Sequence, residues 1–108
     1  MDAYLTELEM GKRFMRTSEL DLAYRRFERA HILGQLNPIR HTESHFWLLR
    51  VAIRKRDYFD IFGQIFRILT GFLGSIIGVV PTGNTGGSNV NPFKKMDIPN
   101  DLKEILDK

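Results

Sequence analysis

The chain contains no cysteine among its 108 residues. This absence excludes a disulfide framework, a thiolate zinc site and a thiol nucleophile. A bound metal would have to be held by nitrogen and oxygen, which favours zinc, ferrous iron, cobalt, nickel or cupric ion over thiophilic ions such as cuprous or mercuric ion. A chain without disulfides suits a reducing compartment, and we expect a cytoplasmic location.

The chain also lacks a long hydrophobic run and a strong excess of one charge. Its most apolar stretch, residues 68–80, is shorter than the roughly 20 residues that a transmembrane helix needs. The first ten residues include Asp2, Glu7 and Glu9 and do not resemble a secretory signal. With 16 basic and 13 acidic residues the net charge is only +3, so we do not expect nucleic-acid binding.

What the chain does have is an apolar content of 43%, enough for one compact domain over residues 1–108. Apolar residues recur at three- and four-residue spacing, which predicts an all-α fold of two antiparallel helical hairpins. We expect a four-helix core in residues 1–80, a long loop rich in glycine and asparagine in residues 81–96, and a short C-terminal helix in residues 97–108. The core helices are predicted over residues 5–17, 18–34, 38–56 and 57–78.

Local signals set the ends of these helices. Ser18 and Asp21 resemble a capping box at the start of the second helix, and Gly34 is a suitable stop at its end. Asn37 is a good N-cap for the third helix. In the C-terminal segment, Asp97 is the expected cap and Pro99 is tolerated in the first turn.

The fourth helix is the most apolar, and we expect it to be buried in the core. Its broad apolar surface, beside Arg67, leaves a peripheral membrane contact open as an alternative. The residues of that surface are Phe62, Phe66, Leu69, Phe72 and Leu73.

All three histidines fall on the two arms of the hairpin formed by the second and third helices. His31 and His41 each lie five residues from Leu36, so they stand level if the arms are antiparallel. Glu28 precedes His31 by three residues and His45 follows His41 by four, and both spacings keep a pair on one helical face. The pattern predicts a site for a divalent metal, zinc or another first-row ion, with Glu28 as fourth ligand or with an open position for water.

Two other roles for these residues remain open. The histidines could be structural side chains hydrogen-bonded to the backbone or to carboxylates, because histidine is common at half-buried positions. A bound metal could instead activate water for hydrolysis, with Glu43 or Glu28 as base. The chain offers no triad of serine, histidine and acid, so we predict no catalytic residue and expect that the protein is not an enzyme.

The segment Gly83-Asn84-Thr85-Gly86-Gly87-Ser88 is rich in glycine. Such a loop can form an anion nest, but a phosphate loop ends in lysine and serine or threonine and opens a helix. Asn89 and Pro92 follow here instead. Turns that need positive φ, in a loop folded over the ends of the helices, account for the composition better.

Trp47 shares a helical face with Arg50 and Arg54. Large aromatic residues beside arginine are enriched at protein interfaces. These three residues are therefore a predicted binding surface for a protein partner.

The first hairpin resembles a tetratricopeptide repeat. The residues that carry the likeness are Met10-Gly11-x-x-Phe14 and Ala23-x-x-x-Phe27-x-x-Ala30. In such repeats, the glycine lets the second helix come close and the aromatic residue fills the crossing. The resemblance implies stacked helical hairpins and, as an alternative function, a protein-interaction module in which the histidines are structural.

The whole chain is also similar to a small bacterial family, the domain of unknown function 3703 (DUF3703). Three stretches carry this similarity: Glu28-Arg29-Ala30-His31-Ile32-Leu33-Gly34-Gln35, His41-x-x-x-His45-Phe46-Trp47, and Gly83-Asn84-Thr85-Gly86-Gly87-Ser88-Asn89-Val90. The resemblance implies no established activity.

Overall fold

The computed structural model describes residues 2–77, 86–87 and 95–107, and within them the chain forms five helices and no strand. Each helix packs on its neighbour along the chain from α1 to α4, and α5 docks on α2. The predicted all-α fold with helical hairpins is confirmed. The helices are α1 Ala3–Arg16, α2 Leu20–Gly34, α3 Pro38–Lys55, α4 Tyr58–Ile77 and α5 Asn100–Leu106.

Side-chain caps begin three of the helices. Asp2 Oδ1 accepts a hydrogen bond from the Leu5 amide at the start of α1. Asn37 Oδ1 accepts from two amides at the start of α3, as predicted. Asp57 Oδ1 accepts from the Asp60 amide at the start of α4. Each cap satisfies amides that have no partner within their own helix.

The predicted capping box at Ser18 and Asp21 is wrong. Ser18 has a φ of 60°, and its amide donates to Met15 O while the Glu19 amide donates to Phe14 O. This is the Schellman arrangement that closes a helix, here α1, with a residue in the left-handed conformation. Ser18 therefore ends α1, its hydroxyl accepts a hydrogen bond from Arg54, and α2 begins at Leu20 without a side-chain cap.

The α1–α2 hairpin holds the apolar core. Phe27 is fully buried, and a Cβ atom built on Gly11 would lie only 2.4 Å from its ring. Glycine at position 11 therefore allows α2 to approach α1, as predicted. The other core side chains that are no more than 2% exposed on these helices and α3 are Tyr4, Leu8, Ala23, Ala30, Leu48, Val51 and Ala52.

Gly34 ends α2 at the predicted place, but close approach explains it better than a left-handed stop. A Cβ atom there would lie 2.9 Å from Arg40 Cβ and 3.0 Å from the Tyr4 ring. Its φ is not positive, unlike that of Gly86. The small residue lets the connection between α2 and α3 pass beside Tyr4.

The C-terminal helix begins three residues later than predicted. Asp97 is not its cap, because α5 starts at Asn100 and Pro99 precedes it with an extended ψ of 140°. The residue before a proline is also biased away from helical geometry, which keeps Ile98 outside the helix. Leu102 is fully buried against the bundle, and Arg29 of α2 donates to the Asp101 carboxylate.

The expectation that the apolar side of α4 is buried is wrong. Phe62 is 70% exposed, Leu69 65% and Leu73 61%, whereas the polar residues Gln64 and Arg67 of the same helix are buried. The helix is present, but it is turned so that its polar stripe faces α3. Phe72 lies among the residues whose side chains the structure does not describe.

Two further predictions concern the membrane and the glycine-rich loop. Among the described residues, no helix combines the length and hydrophobicity required to cross a bilayer. Of the predicted loop 81–96, only residues 86–87 and 95–96 belong to the described part of the chain. Gly86 has a φ of 84°, which confirms at that position the expected need for positive φ.

Candidate functional site

The three histidines converge between α2 and α3. His31, His41 and His45 are each at most 5% exposed, and one ring nitrogen from each lies within 4.8 Å of the others. The ring centroids are 4.7, 4.5 and 5.0 Å apart, a nearly equilateral triangle. This confirms that the residues predicted to stand level across the turn meet in space.

Helix geometry explains the convergence. His31 lies one turn before the end of α2, and the short connection from Gln35 to Asn37 returns the chain antiparallel to α2. His41 is in the first turn of α3, and His45 follows it on the same face. The backbone therefore brings one imidazole from α2 between two from α3.

A chain of hydrogen bonds defines the protonation of His45. The Gly86 carbonyl can only accept, so the Gln64 amide nitrogen at 2.9 Å donates to it. Gln64 Oε1 then faces His45 Nδ1 at 2.8 Å and can only accept, so that His45 nitrogen carries the proton. The neutral His45 ring thus presents a bare Nε2 to the cluster.

The bare nitrogen faces another ring nitrogen. His45 Nε2 lies 3.0 Å from His31 Nε2, so His31 supplies the proton of this contact. Two imidazole nitrogens bound to one tetrahedral zinc ion at 2.0–2.1 Å would be about 3.3 Å apart. A metal ion could therefore replace that proton with a displacement of a few tenths of an ångström.

Burial keeps the imidazoles of His41 and His45 neutral. It lowers the pKa of His41 to about 4, and burial together with neighbouring positive groups lowers the pKa of His45 to about 3. Both residues are consequently unprotonated at neutral pH. Neutral imidazole is the form that binds metals.

Two glycines form walls of the cluster. A Cβ atom at Gly71 of α4 would lie 3.5 Å from His41 Nε2 and 3.8 Å from His45 Nε2. A Cβ atom at Gly86 would lie 2.9 Å from the His31 ring. Gly71 therefore leaves space directly beside the ligand nitrogens, and Gly86 lets the backbone cover His31.

A polar network connects the cluster to α4. The Tyr24 hydroxyl donates to Asp60 Oδ1 at 3.0 Å, and the Gln64 amide lies 3.2 Å from the same oxygen. Arg67 donates to the Gly87 carbonyl. Burial and the Asp60 carboxylate raise the pKa of Tyr24, which keeps its hydroxyl protonated. These contacts hold the 86–87 segment and orient Gln64 against His45.

Glu28, the predicted fourth ligand, is not a member of the group of ligand atoms that lie within 4.8 Å. It lines a depression of about 410 Å³ together with Tyr24 and Asp60. The structure thus brings three of the four predicted ligands together, and it places Glu28 in the depression beside Tyr24 and Asp60. Glu43 lies elsewhere and accepts a hydrogen bond from the Tyr4 hydroxyl at 2.6 Å.

The three residues of the predicted partner surface have different contacts. Trp47 stacks on Phe27 with ring centroids 5.4 Å apart, and Arg50 lies over its ring at 4.7 Å. Arg54 donates to Met15 O and to the Ser18 hydroxyl, so it supports the end of α1. All three line a groove of about 470 Å³.

Sequence reasoning missed the residues that α4 contributes. Asp60, Gln64 and Arg67 recur at four- and three-residue spacing in a helix that is otherwise apolar, and Gly71 continues the same face. Polar residues on one stripe of an apolar helix are a readable signal of a buried polar partner. That signal predicts a polar partner for α4 but does not identify the histidine hairpin as that partner.

Comparison with known proteins gives a family without an assigned activity. The family model described as "Protein of unknown function (DUF3703)" matches residues 1–106, so the chain belongs to that family. No curated protein and no solved structure matches the chain.

Proposed function

We propose that this protein binds one divalent first-row metal ion, with zinc as the reference ion, through His31, His41 and His45. The observation that carries the proposal is the buried triangle of ring nitrogens within 4.8 Å of one another. Nitrogen ligands without any thiolate suit zinc, cobalt, nickel or cupric ion. Three imidazoles leave the remaining coordination position for water or another ligand.

Three features support this function over a structural role for the histidines. Two ring nitrogens face each other at 3.0 Å, close to the separation that two imidazoles bound to one metal ion would have. The Gln64 contact fixes the His45 tautomer, as partners of metal-bound histidines do. Gly71 leaves room beside the nitrogens rather than filling it.

The test is metal content by mass spectrometry of untagged protein, followed by calorimetric titration of zinc, cobalt, nickel and cupric ions into the stripped protein. We expect one ion per chain, and we expect His31→Gln and His41→Gln each to weaken zinc binding by at least about 100-fold. Circular dichroism of both variants checks that the fold survives. A folded protein without saturable binding of any of these ions would overturn the proposal.

Glu28→Gln decides whether the fourth position belongs to the protein. If the carboxylate lies outside the first coordination shell, this variant binds zinc as the wild type does. A loss of about 10-fold or more would make Glu28 a ligand, directly or through the metal-bound water. Glu43→Gln is the matched control, because Glu43 is engaged with Tyr4.

A second candidate function is recognition of an acidic protein segment in the groove beside Trp47. Lys12 and Arg50 both approach the Trp47 ring, at 5.0 and 4.7 Å, and Arg16 and Arg54 also line the groove. A flat aromatic floor with a cationic rim suits a peptide that carries carboxylates and an apolar anchor. Loss of peptide binding in Trp47→Ala and Arg50→Ala, with zinc binding unchanged, would support it, whereas equal binding by these variants would exclude it.

A further inference from the structure

The outward face of α4 is apolar, exposed and continuous. Its large side chains are more than half exposed and recur at spacings of three and four residues along the helix. They are Phe59, Phe62, Phe66, Leu69, Leu73 and Ile77. The first five follow the alternating three- and four-residue spacing that forms the seam between two paired helices.

The exposed area is large for an unpartnered surface. Taking roughly 200 Å² for each large apolar side chain, the six leave about 800 Å² accessible. The largest apolar patch on a typical monomer is about 300–600 Å², whereas a stable interface takes about 800 Å² from each partner. This face alone is therefore large enough for one side of a stable dimer.

The face also carries no charge. The charged residues of α4 are Asp60 and Arg67, and both are buried, at 8% and 6% exposure. Helices that lie on membranes usually place lysine and arginine beside the apolar face, where they meet lipid headgroups. An uncharged apolar face can pair with an identical face without repulsion between like charges, which favours a protein partner.

The position of α4 points to a second copy of this chain. The described helices pack in chain order, so α4 is the last of the four and packs chiefly on α3. We propose that the α4 face is a twofold interface at which two chains pair α4 against α4. Closed twofold pairing uses the same patch on both subunits, which a self-complementary apolar seam satisfies.

The test is analytical ultracentrifugation of the full chain from about 1 to 100 µM. We expect twice the 12.6 kDa chain mass, with a dissociation constant below about 10 µM. The double variant Phe62→Glu/Leu69→Glu should dimerise at least about 100-fold more weakly and remain helical by circular dichroism, because both side chains are exposed in the single chain.

The matched control places the same charges on another exposed apolar pair. Leu36 and Ile39 are 80% and 77% exposed at the connection between α2 and α3, so Leu36→Glu/Ile39→Glu should leave the dimer intact. Wild-type protein that stays monomeric at 100 µM overturns the proposal, as does equal loss of the dimer in both double variants. Monomeric protein that sediments with phosphatidylcholine and phosphatidylglycerol vesicles would assign the face to a lipid surface instead.

A crosslinking experiment avoids charged substitutions altogether. Because the chain has no cysteine, a single Leu69→Cys variant reports contact near the middle of the seam. We expect oxidation or a short bismaleimide to produce covalent dimers of Leu69→Cys and not of the control Leu36→Cys. The reverse pattern, or equal crosslinking of both, contradicts an α4 interface.

Discussion

The α1–α2 hairpin and helix α4 turn different kinds of side chain inward. The hairpin buries apolar residues around Phe27, and its buried Glu7 carboxylate is paired with Arg26 and Arg29. Helix α4 instead turns Asp60, Gln64 and Arg67 inward and leaves Phe59, Phe62 and Phe66 exposed. Burying polar groups is costly unless every one is paired. The inward face of α4 is therefore organised around the histidine site rather than around stability.

Acid should have the largest effect on stability, through His41 and His45. Well above pH 6.5, His41 and His45 are neutral in both the folded and the unfolded chain, so they contribute no pH dependence there. Below that pH the unfolded chain binds protons that the folded chain resists, because the pKa values of His41 and His45 are lowered to about 4 and 3. Stability therefore falls as the pH drops from 6.5 toward 4.

At pH 4 the loss from these two residues is on the order of 5 kcal/mol relative to pH 7. Urea denaturation of metal-free protein across this range measures it. Replacing His41 with glutamine should reduce the slope by about one proton, since the group that titrates in the unfolded chain is gone. An unchanged slope would show that His41 is protonated in the folded chain as well.

Removing a core side chain of the α1–α2 hairpin should have the next largest effect on stability. Phe27→Ala removes a fully buried ring between Gly11 and Trp47, and we expect a loss of about 3–5 kcal/mol in the free energy of unfolding. Denaturation in urea measures it. A loss below about 1 kcal/mol would contradict the assignment of the core to this hairpin.

Variants of Gln64 test the polar contacts between α4 and the histidines. Gln64→Leu leaves the His45 Nδ1–H and the Gly86 carbonyl without partners, so it should cost about 1–3 kcal/mol and weaken zinc binding about 10–100-fold. Gln64→Glu keeps the acceptor for His45 but loses the donor to Gly86. Calorimetry should therefore place its zinc affinity between those of the wild type and Gln64→Leu. Equal zinc affinities for all three proteins would show that Gln64 does not contribute to metal binding.

Gly71→Ala should separate binding from folding. The added methyl group meets ring atoms at 3.2–3.8 Å, which is tight but tolerable contact, and it takes space beside the ligand nitrogens. We expect zinc affinity to fall by about 10-fold or more while stability changes by less than about 1 kcal/mol. Gly63→Ala, about two turns earlier in the same helix, is the control for helix propensity.

The smallest effect is expected at the surface. Lys55 and Asp21 form an ion pair of 2.7 Å in which the Asp21 side chain is 80% exposed. Such pairs contribute less than about 1 kcal/mol. Lys55→Ala should leave both thermal stability and zinc affinity nearly unchanged. A large loss of either would show that this surface ion pair contributes to the fold or to the site.

The sequence predicts the two hairpins with different success. The four core helices, the Asn37 cap and the approach of Phe27 to Gly11 follow from periodicity and residue size, which act locally. The three histidines could be placed together because an antiparallel turn brings residues equidistant from it to the same level. These parts of the site depend on one hairpin only.

The orientation of α4 could not be read in the same way. Apolar periodicity assigns the hydrophobic side of a helix to the core, and that rule fails when the interior partner is a polar cluster on another helix. Gln64, Gly71 and Gly86 approach the histidines from parts of the chain at least 19 residues from His45 in sequence, or 41 residues for Gly86. Only the packed structure reveals such contacts. Ser18 was misassigned for a related reason, because a Schellman ending without glycine leaves no compositional mark.

Metal binding by the histidine cluster can be observed atom by atom in a long-range ¹H–¹⁵N correlation spectrum of the imidazoles, recorded at neutral pH before and after one equivalent of zinc. With only three histidines in the chain, each ring can be assigned from one glutamine variant. We expect a proton on Nδ1 of His45 in the metal-free protein, and a zinc-dependent shift of a ring nitrogen in all three residues. A proton on Nε2 of His45, or rings that do not respond to zinc, would contradict this expectation.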